Sequence, residues 1–152
     1  THGVITAVAG TTEMQLDQRH LDPHELAAMY AEALAACRVA SEQFNCTVEV
    51  RDVFKATPTP FDARLVEIAQ AAIEQAGGGA NDAIPSGPLH DATEIGRVVP
   101  TAMIFAQSDP PISHAAIEDS SERALAVAID AYGRTVDQVL ARQQEFTSQG
   151  AG

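Results

Sequence analysis

The apolar positions change period along the chain, and each change marks an element. Residues 3–8, GVITAV, form a short apolar run of the kind a strand needs. Over residues 11–19 the pattern alternates, with Met14 and Leu16 on one face and Gln15 and Asp17 on the other, which predicts a half-buried strand. After Asp22 the period lengthens: Leu26, Tyr30, Ala33, Cys37, Ala40 and Phe44 fall on one helical stripe. Asp22-Pro23-His24-Glu25 supplies the start, because Asp22 can cap, Pro23 suits the first helical turn and Glu25 can close a capping box. The helix should end near Asn45, and Cys46, Val48 and Val50 then alternate as another strand. The order strand, strand, helix, strand predicts a compact α+β unit ending near Phe54.

Residues 55–61, KATPTPF, break that pattern. Pro58 and Pro60 exclude helix or central strand there, so a hinge is expected. Asp62 caps a second helix with Leu65, Ile68, Ala72 and Ile73 on its face, and Gly77-Gly78-Gly79 ends it. Residues 84–91, IPSGPLHD, are turn-rich, and His90 to Val98 is a predicted short helix. Thr101 to Ala106, TAMIFA, suits a strand buried on both faces. A loop over 107–118 follows. Asp119 and Glu122 then form a predicted second capping box before a last helix whose stripe is Leu125, Ile129, Tyr132, Val136 and Leu140. The tail after Gln144 is expected to fray. One buried strand among helices cannot make a sheet by itself, so this half reads as the closing edge of an α/β sheet whose other strands come from elsewhere.

Composition narrows the functions. Nine basic against 21 acidic residues give a net charge of -12, which repels a phosphate backbone and argues against nucleic-acid binding. No apolar run approaches the ~20 residues that cross a bilayer. The opening THGVITAVAG has no basic region of the signal-peptide kind, and a start at Thr1 rather than Met predicts a processed or truncated chain. An N-terminal Thr can serve as a nucleophile in some hydrolases, but ordinary cleavage is the simpler account. Cys37 and Cys46 lack a metal-binding or Cys-x-x-Cys spacing and read as buried thiols of a reducing, cytoplasmic compartment.

Three segments carry candidate chemistry. Ser113-His114 lies in the loop after the 101–106 run, at the strand end where open α/β sheets bind ligands, and a loop imidazole is a common metal ligand. The loop Ser86-Gly87-Pro88-Leu89-His90-Asp91 joins a glycine that permits close backbone approach to a His near a helix start. Asp17-Gln18-Arg19 places an Arg fork suited to a carboxylate two residues from an Asp on the same strand face. Each has a plainer reading: a surface loop histidine, a tight turn capped by Asp91, and a surface ion pair. His2, His20 and His24 show no ligand spacing.

Taken in order, these segments resemble the N-carbamoyl-L-amino acid hydrolase and allantoate amidohydrolase family. The matching string is IPSGPLHDATEIGRVVPTAMIFAQSDPPISHAAIEDS: a Ser-Gly-x-x-His-Asp-Ala loop at Ser86 to Ala92, a Pro-Thr-x-Met-x-Phe strand at Pro100 to Phe105, and Ser113-His114 followed by Glu118-Asp119. Upstream, Asp17-Gln18-Arg19-His20-Leu21-Asp22 is similar to the Asp-x-Arg-x-Pro-Asp segment of the family's smaller domain, and Pro58-Thr59-Pro60-Phe61 resembles the return to its catalytic domain. The resemblance covers nearly the whole chain.

It implies an α/β fold. Residues 1–54 would be the second half of an inserted α+β lid and dimerisation domain, 55–61 a hinge, and 62–152 the C-terminal part of a metallopeptidase-like catalytic α/β domain. It further implies two divalent metal ions, zinc or manganese, that activate water against the C–N bond of N-carbamoyl amino acids, allantoate or ureidopropionate. His114 matches the last metal ligand, Arg19 the arginine that holds the substrate carboxylate, and Gly87 and His90 the loop lining the substrate pocket. Thr6 stands where the family often has an Asn that contacts substrate, Pro111 where it has Gly, and Leu21 where it has Pro. The family's other metal ligands and its general base lie upstream of the segments matched here. The chain is therefore expected to be inactive without an N-terminal part of the same enzyme, and to dimerise through its lid. The alternative is a non-catalytic dimerisation or binding module derived from this family. No nucleic-acid or membrane partner is expected.

Overall fold

The computed structural model describes residues 8–80 and 82–147. Thr6, and all of the expected strand over 3–8 except Val8, lie outside that range. The chain divides into two compact units, one running to Pro58 and one starting at Thr59.

The first unit is built on α1, Pro23–Phe44. Its start lies at Pro23 with Asp22 as cap, as the sequence specifies, but Glu25 does not close a capping box: the Asp22 N–H donates instead to His20 Nδ1 at 3.0 Å. The Asp22 carboxylate accepts the His24 N–H at 2.7 Å and the Glu25 N–H at 3.4 Å, with Pro23 in the first turn, where its missing donor costs nothing. The helix ends where Asn45 turns left-handed at φ 49°, a conformation Asn tolerates better than most residues. Ser41 helps close that end, its hydroxyl donating to the Cys46 carbonyl at 2.6 Å. Leu26, Tyr30, Ala33, Cys37 and Ala40 are half-buried along one stripe, while Phe44 is exposed. The flanking segments are held to α1 by side chains: the Gln18 amide donates to the Met29 carbonyl at 3.0 Å, and the Tyr30 hydroxyl to Asp52 at 2.8 Å.

In the second unit α2, Ala63–Gln75, packs on α4, Glu122–Ala141. Between them come α3, Asp91–Ile95, and a long loop; α5, Gln143–Thr147, follows. The core is formed by Ile68, Ala69 and Ala72 of α2 and Ala131 of α4. Ala72 and Ala131 are wholly buried, and residues this small let two helix backbones approach closely. The glycines end α2 as expected. Gly77 is left-handed at φ 87°, its N–H reaches the Glu74 carbonyl, and the Gly78 N–H reaches that of Ile73, which together make a Schellman cap. A Cβ on Gly78 would lie 2.5 Å from Ile73 Cγ2 and 3.3 Å from Val127 Cγ1, so position 78 needs glycine for space.

Several expectations are corrected. No strand forms among the described residues: 11–19, 46–50 and 101–106 are irregular, so the structure is helical where an α/β arrangement was expected. The physical reason is that a strand is stabilised by a neighbour's N–H and C=O groups, and these segments find no ladder. Among the described residues the 101–106 run makes one backbone contact of this kind, from the Asp62 N–H to the Thr101 carbonyl at 3.0 Å. The short helix spans Asp91–Ile95 rather than 90–98, with His90 at its N-cap. The cap of α4 is Ser121, whose hydroxyl accepts the Ala124 N–H at 3.2 Å; Asp119 instead accepts the Ser120 N–H. The inward face of α4 is also different. Leu125, Ile129 and Tyr132 of the expected stripe are 44%, 72% and 65% exposed, while Ala124, Val127, Ala128 and Thr135 join Ala131 on the shielded side. Cys37 is half-buried and Cys46 exposed, so neither is a core thiol.

Asp62 carries more than a cap. It accepts the Arg64 and Leu65 N–H groups at 3.0 and 3.2 Å and pairs with the Arg64 guanidinium at 2.9 Å. The Arg64 hydrogen bond, assisted by those N–H groups, holds its carboxyl below the usual carboxylate range. A lowered folded pKa means the contribution is present above the unfolded value near 4 and is lost as pH falls through the folded one. Asp62→Ala should therefore lower stability at pH 7 by about 1 kcal/mol or more. Melting curves of both proteins should converge as pH is taken below about 4, and Asp62→Asn should keep part of the cap at every pH.

Candidate functional site

The second unit packs the 86–91 loop on the 101–106 segment; no contact between that loop and Ser113-His114 is seen among the described residues. His90 Nε2 and the Ser86 hydroxyl share a hydrogen bond at 2.8 Å, and Ser86 Oγ also reaches the Pro88 carbonyl at 3.2 Å, which ties the 86–90 turn to itself. The His90 ring meets Phe105 edge-on, with centroids 5.6 Å apart and planes at 61°. The turn is therefore packed on the 101–106 segment although no sheet forms there. The importance of Phe105 was not visible from periodicity, which gave it only a strand position. At Gly87 a Cβ would meet no atom within 4 Å, so the protein's own packing does not demand glycine there and the space beside it stays open.

His114 stands in a loop closed on itself. The Asp109 N–H donates to the Asp119 carbonyl at 2.9 Å, and the Glu118 N–H to the Ala115 carbonyl at 3.0 Å. At the turn, His114 is left-handed with φ 59°, a state that costs a non-glycine residue roughly 1–2 kcal/mol. Its backbone N–H is held by the Glu118 carboxylate at 2.7 Å. The residue is exposed. One exposed imidazole on a restrained loop fits the role of a single metal ligand. Among the described residues no group of three or more His, Cys, Asp and Glu side chains lies close enough to hold a metal ion. Any further ligands have to come from outside them.

In the first unit Arg19 and Asp17 are indeed paired. The Arg19 Nε lies 3.1 Å from both Asp17 oxygens, and both side chains are exposed. The hydrogen bond lowers the Asp17 pKa and raises that of Arg19, so the pair is fully charged over the physiological range. Asp17 thereby orients the planar guanidinium. Another cluster in this unit was missed altogether: Lys55 pairs with Asp52 at 2.8 Å and lies over the Tyr30 ring at 4.3 Å. Tyr30, whose hydroxyl donates to Asp52, is 22 positions from it in sequence, a separation that no local pattern bridges. A shallow groove in this unit is lined by Leu34, Cys37, Arg38, Ser41, Glu42, Val48 and Val50. No described helix is long and apolar enough to cross a membrane.

This arrangement, a His-bearing loop and a Ser-Gly-x-x-His turn, accompanies a clear family match. The chain belongs to peptidase family M20/M25/M40, whose model matches residues 3–138. Over 129 residues it is 29% identical to the allantoate amidohydrolase of Bacillus subtilis (strain 168), an alignment that takes in 84% of this chain and 31% of that enzyme. The chain thus spans about a third of the length of that curated relative. No solved structure gives a significant match.

Proposed function

We propose that this chain is the C-terminal portion of a metal-dependent amidohydrolase acting on the C–N bond of N-carbamoyl amino acids or related ureido acids such as allantoate and ureidopropionate. The observation that carries the reading is His114: a single exposed imidazole, presented by a restrained loop, in the Ser-His position of a chain that matches the family over most of its length. The relative named for allantoate supports the substrate class. Zinc or manganese, two ions in the complete enzyme, would supply Lewis-acid activation of water toward the ureido carbon. Within this chain His114 would hold one of them.

The other residues bind and orient. Arg19, its plane set by Asp17, would grip the substrate carboxylate. His90, fixed by Ser86 and Phe105, and Gly87, with open space beside it, would line the pocket, and Thr6 would be a further contact. The partner would be the N-terminal part of the same enzyme, which would bring the remaining metal ligands and the general base. The exposed large side chains of α4 support such a covering partner, since a soluble chain gains by burying Leu125, Ile129 and Tyr132. Residues 1–54 would act as part of a lid that pairs two copies, residues 55–61 as the hinge, and residues 62–152 as the catalytic portion, in a cytoplasmic enzyme.

The 152-residue chain by itself should show no turnover of N-carbamoyl amino acids or allantoate, because one imidazole cannot hold two metals. Measurable turnover by the pure chain would sink the reading. In the complete protein, His114→Ala should abolish most activity and release one metal, as read by elemental analysis alongside the melting temperature. A variant that kept both metals and near-normal activity would remove His114 from the site.

Arg19→Ala in the complete protein should raise KM for carboxylate-bearing ureido substrates roughly tenfold or more with a smaller change in kcat. Arg19→Lys should recover only part of this, as an ammonium cannot form the planar fork. An unchanged KM in the Ala variant would rule out the carboxylate role.

A further inference from the structure

We infer that Glu118 is the positioning residue for His114: its carboxylate holds the left-handed backbone that aims the imidazole. This rests on the proposed metal-binding role of His114. His114 has a Cβ, and its φ of 59° is a conformation such residues rarely keep without local support. The support is specific. The His114 N–H, which the left-handed turn rotates away from any helical or strand partner, is satisfied by Glu118 Oε2 at 2.7 Å. Glu118 is kept within reach by its own N–H, bonded to the Ala115 carbonyl at 3.0 Å, and by the Asp109–Asp119 contact that draws the loop ends together at 2.9 Å.

The geometry has a directional consequence. Turning residue 114 from left-handed to extended or right-handed backbone swings the Cα–Cβ bond, so the imidazole would leave its presented direction without any change of rotamer. The carboxylate touches the His114 backbone, so its effect on a metal is exerted through orientation of the ligand. Outer groups that orient a metal ligand commonly change affinity by 10–100-fold when removed.

The decisive comparison uses the complete protein carrying Glu118→Ala, Glu118→Gln and, as a reference, His114→Ala. Metal stoichiometry and zinc or manganese affinity would be measured by chelator competition at fixed pH, with melting temperatures of the metal-free forms. Glu118→Ala should weaken the affinity of one metal roughly 10–100-fold, and Glu118→Gln should restore most of it, because the amide oxygen accepts the same N–H. Equal loss in the Ala and Gln variants would make Glu118 a ligand or a charge partner and overturn the inference. Unchanged affinity in the Ala variant, whether or not the metal-free protein melts lower, would leave Glu118 a structural loop residue only and overturn it as well. If the Ala variant does not fold, Glu118→Asp, one methylene shorter, makes the same comparison with Gln. Retention of both metals by His114→Ala would instead overturn the proposed function, a failure distinct from that of Glu118.

Discussion

The second unit depends on two helices being able to approach closely. α2 and α4 meet through small side chains, with Ala72 and Ala131 wholly buried and Gly78 admitting Ile73 and Val127 where a Cβ could not fit. Close approach gives each backbone many weak dispersion contacts and leaves little cavity, which is how a core with few large residues stays packed. The polar work is done at the helix starts. Asp62 and Ser121 satisfy N–H groups that the helices cannot satisfy themselves, and Asp62 adds the Arg64 pair. The loops that carry His90 and His114 are strung between these helices.

Using the small face of α4 as the packing face has a price: the large apolar residues on its other side are left exposed. The helix has two apolar faces, and a helix of that kind is usually covered on both sides. The first unit shows the same incompleteness, with a half-buried stripe on α1 and Met14, Phe44, Val53 and Phe54 exposed. These surfaces, and a chain spanning about a third of the relative it matches, fit the proposed role as part of a larger hydrolase.

Different parts of the candidate site were legible for different reasons. The Asp17–Arg19 pairing follows from short-range spacing, and the Ser86–His90 contact closes a five-residue turn, so the residues concerned stood out at once. The approach of Phe105 to His90 and of Tyr30 to Asp52 and Lys55 joins residues far apart in sequence, and periodicity carries no information about such meetings. Glu118 lay between: the sequence showed an acidic residue after Ser-His, but only the left-handed turn at His114 directed its carboxylate to the backbone.

By itself the sequence determined where α1 and α2 begin and end, while the bounds of α3, the cap of α4 and the short α5 at Gln143–Thr147 differ from what it predicted. Asp22 with Pro23, Asp62, Asn45 and the run Gly77-Gly78-Gly79 act through hydrogen bonds and backbone sterics within a few residues, so they operate before any tertiary contact exists. It also determined the motif order that marks the family. Tertiary structure alone decided which face of α4 turns inward, because both faces are apolar and the choice depends on the shape of α2. It decided too that the alternating segments over 11–19, 46–50 and 101–106 form no strands, since alternation specifies a side-chain pattern but a strand exists only when a neighbour supplies its hydrogen bonds.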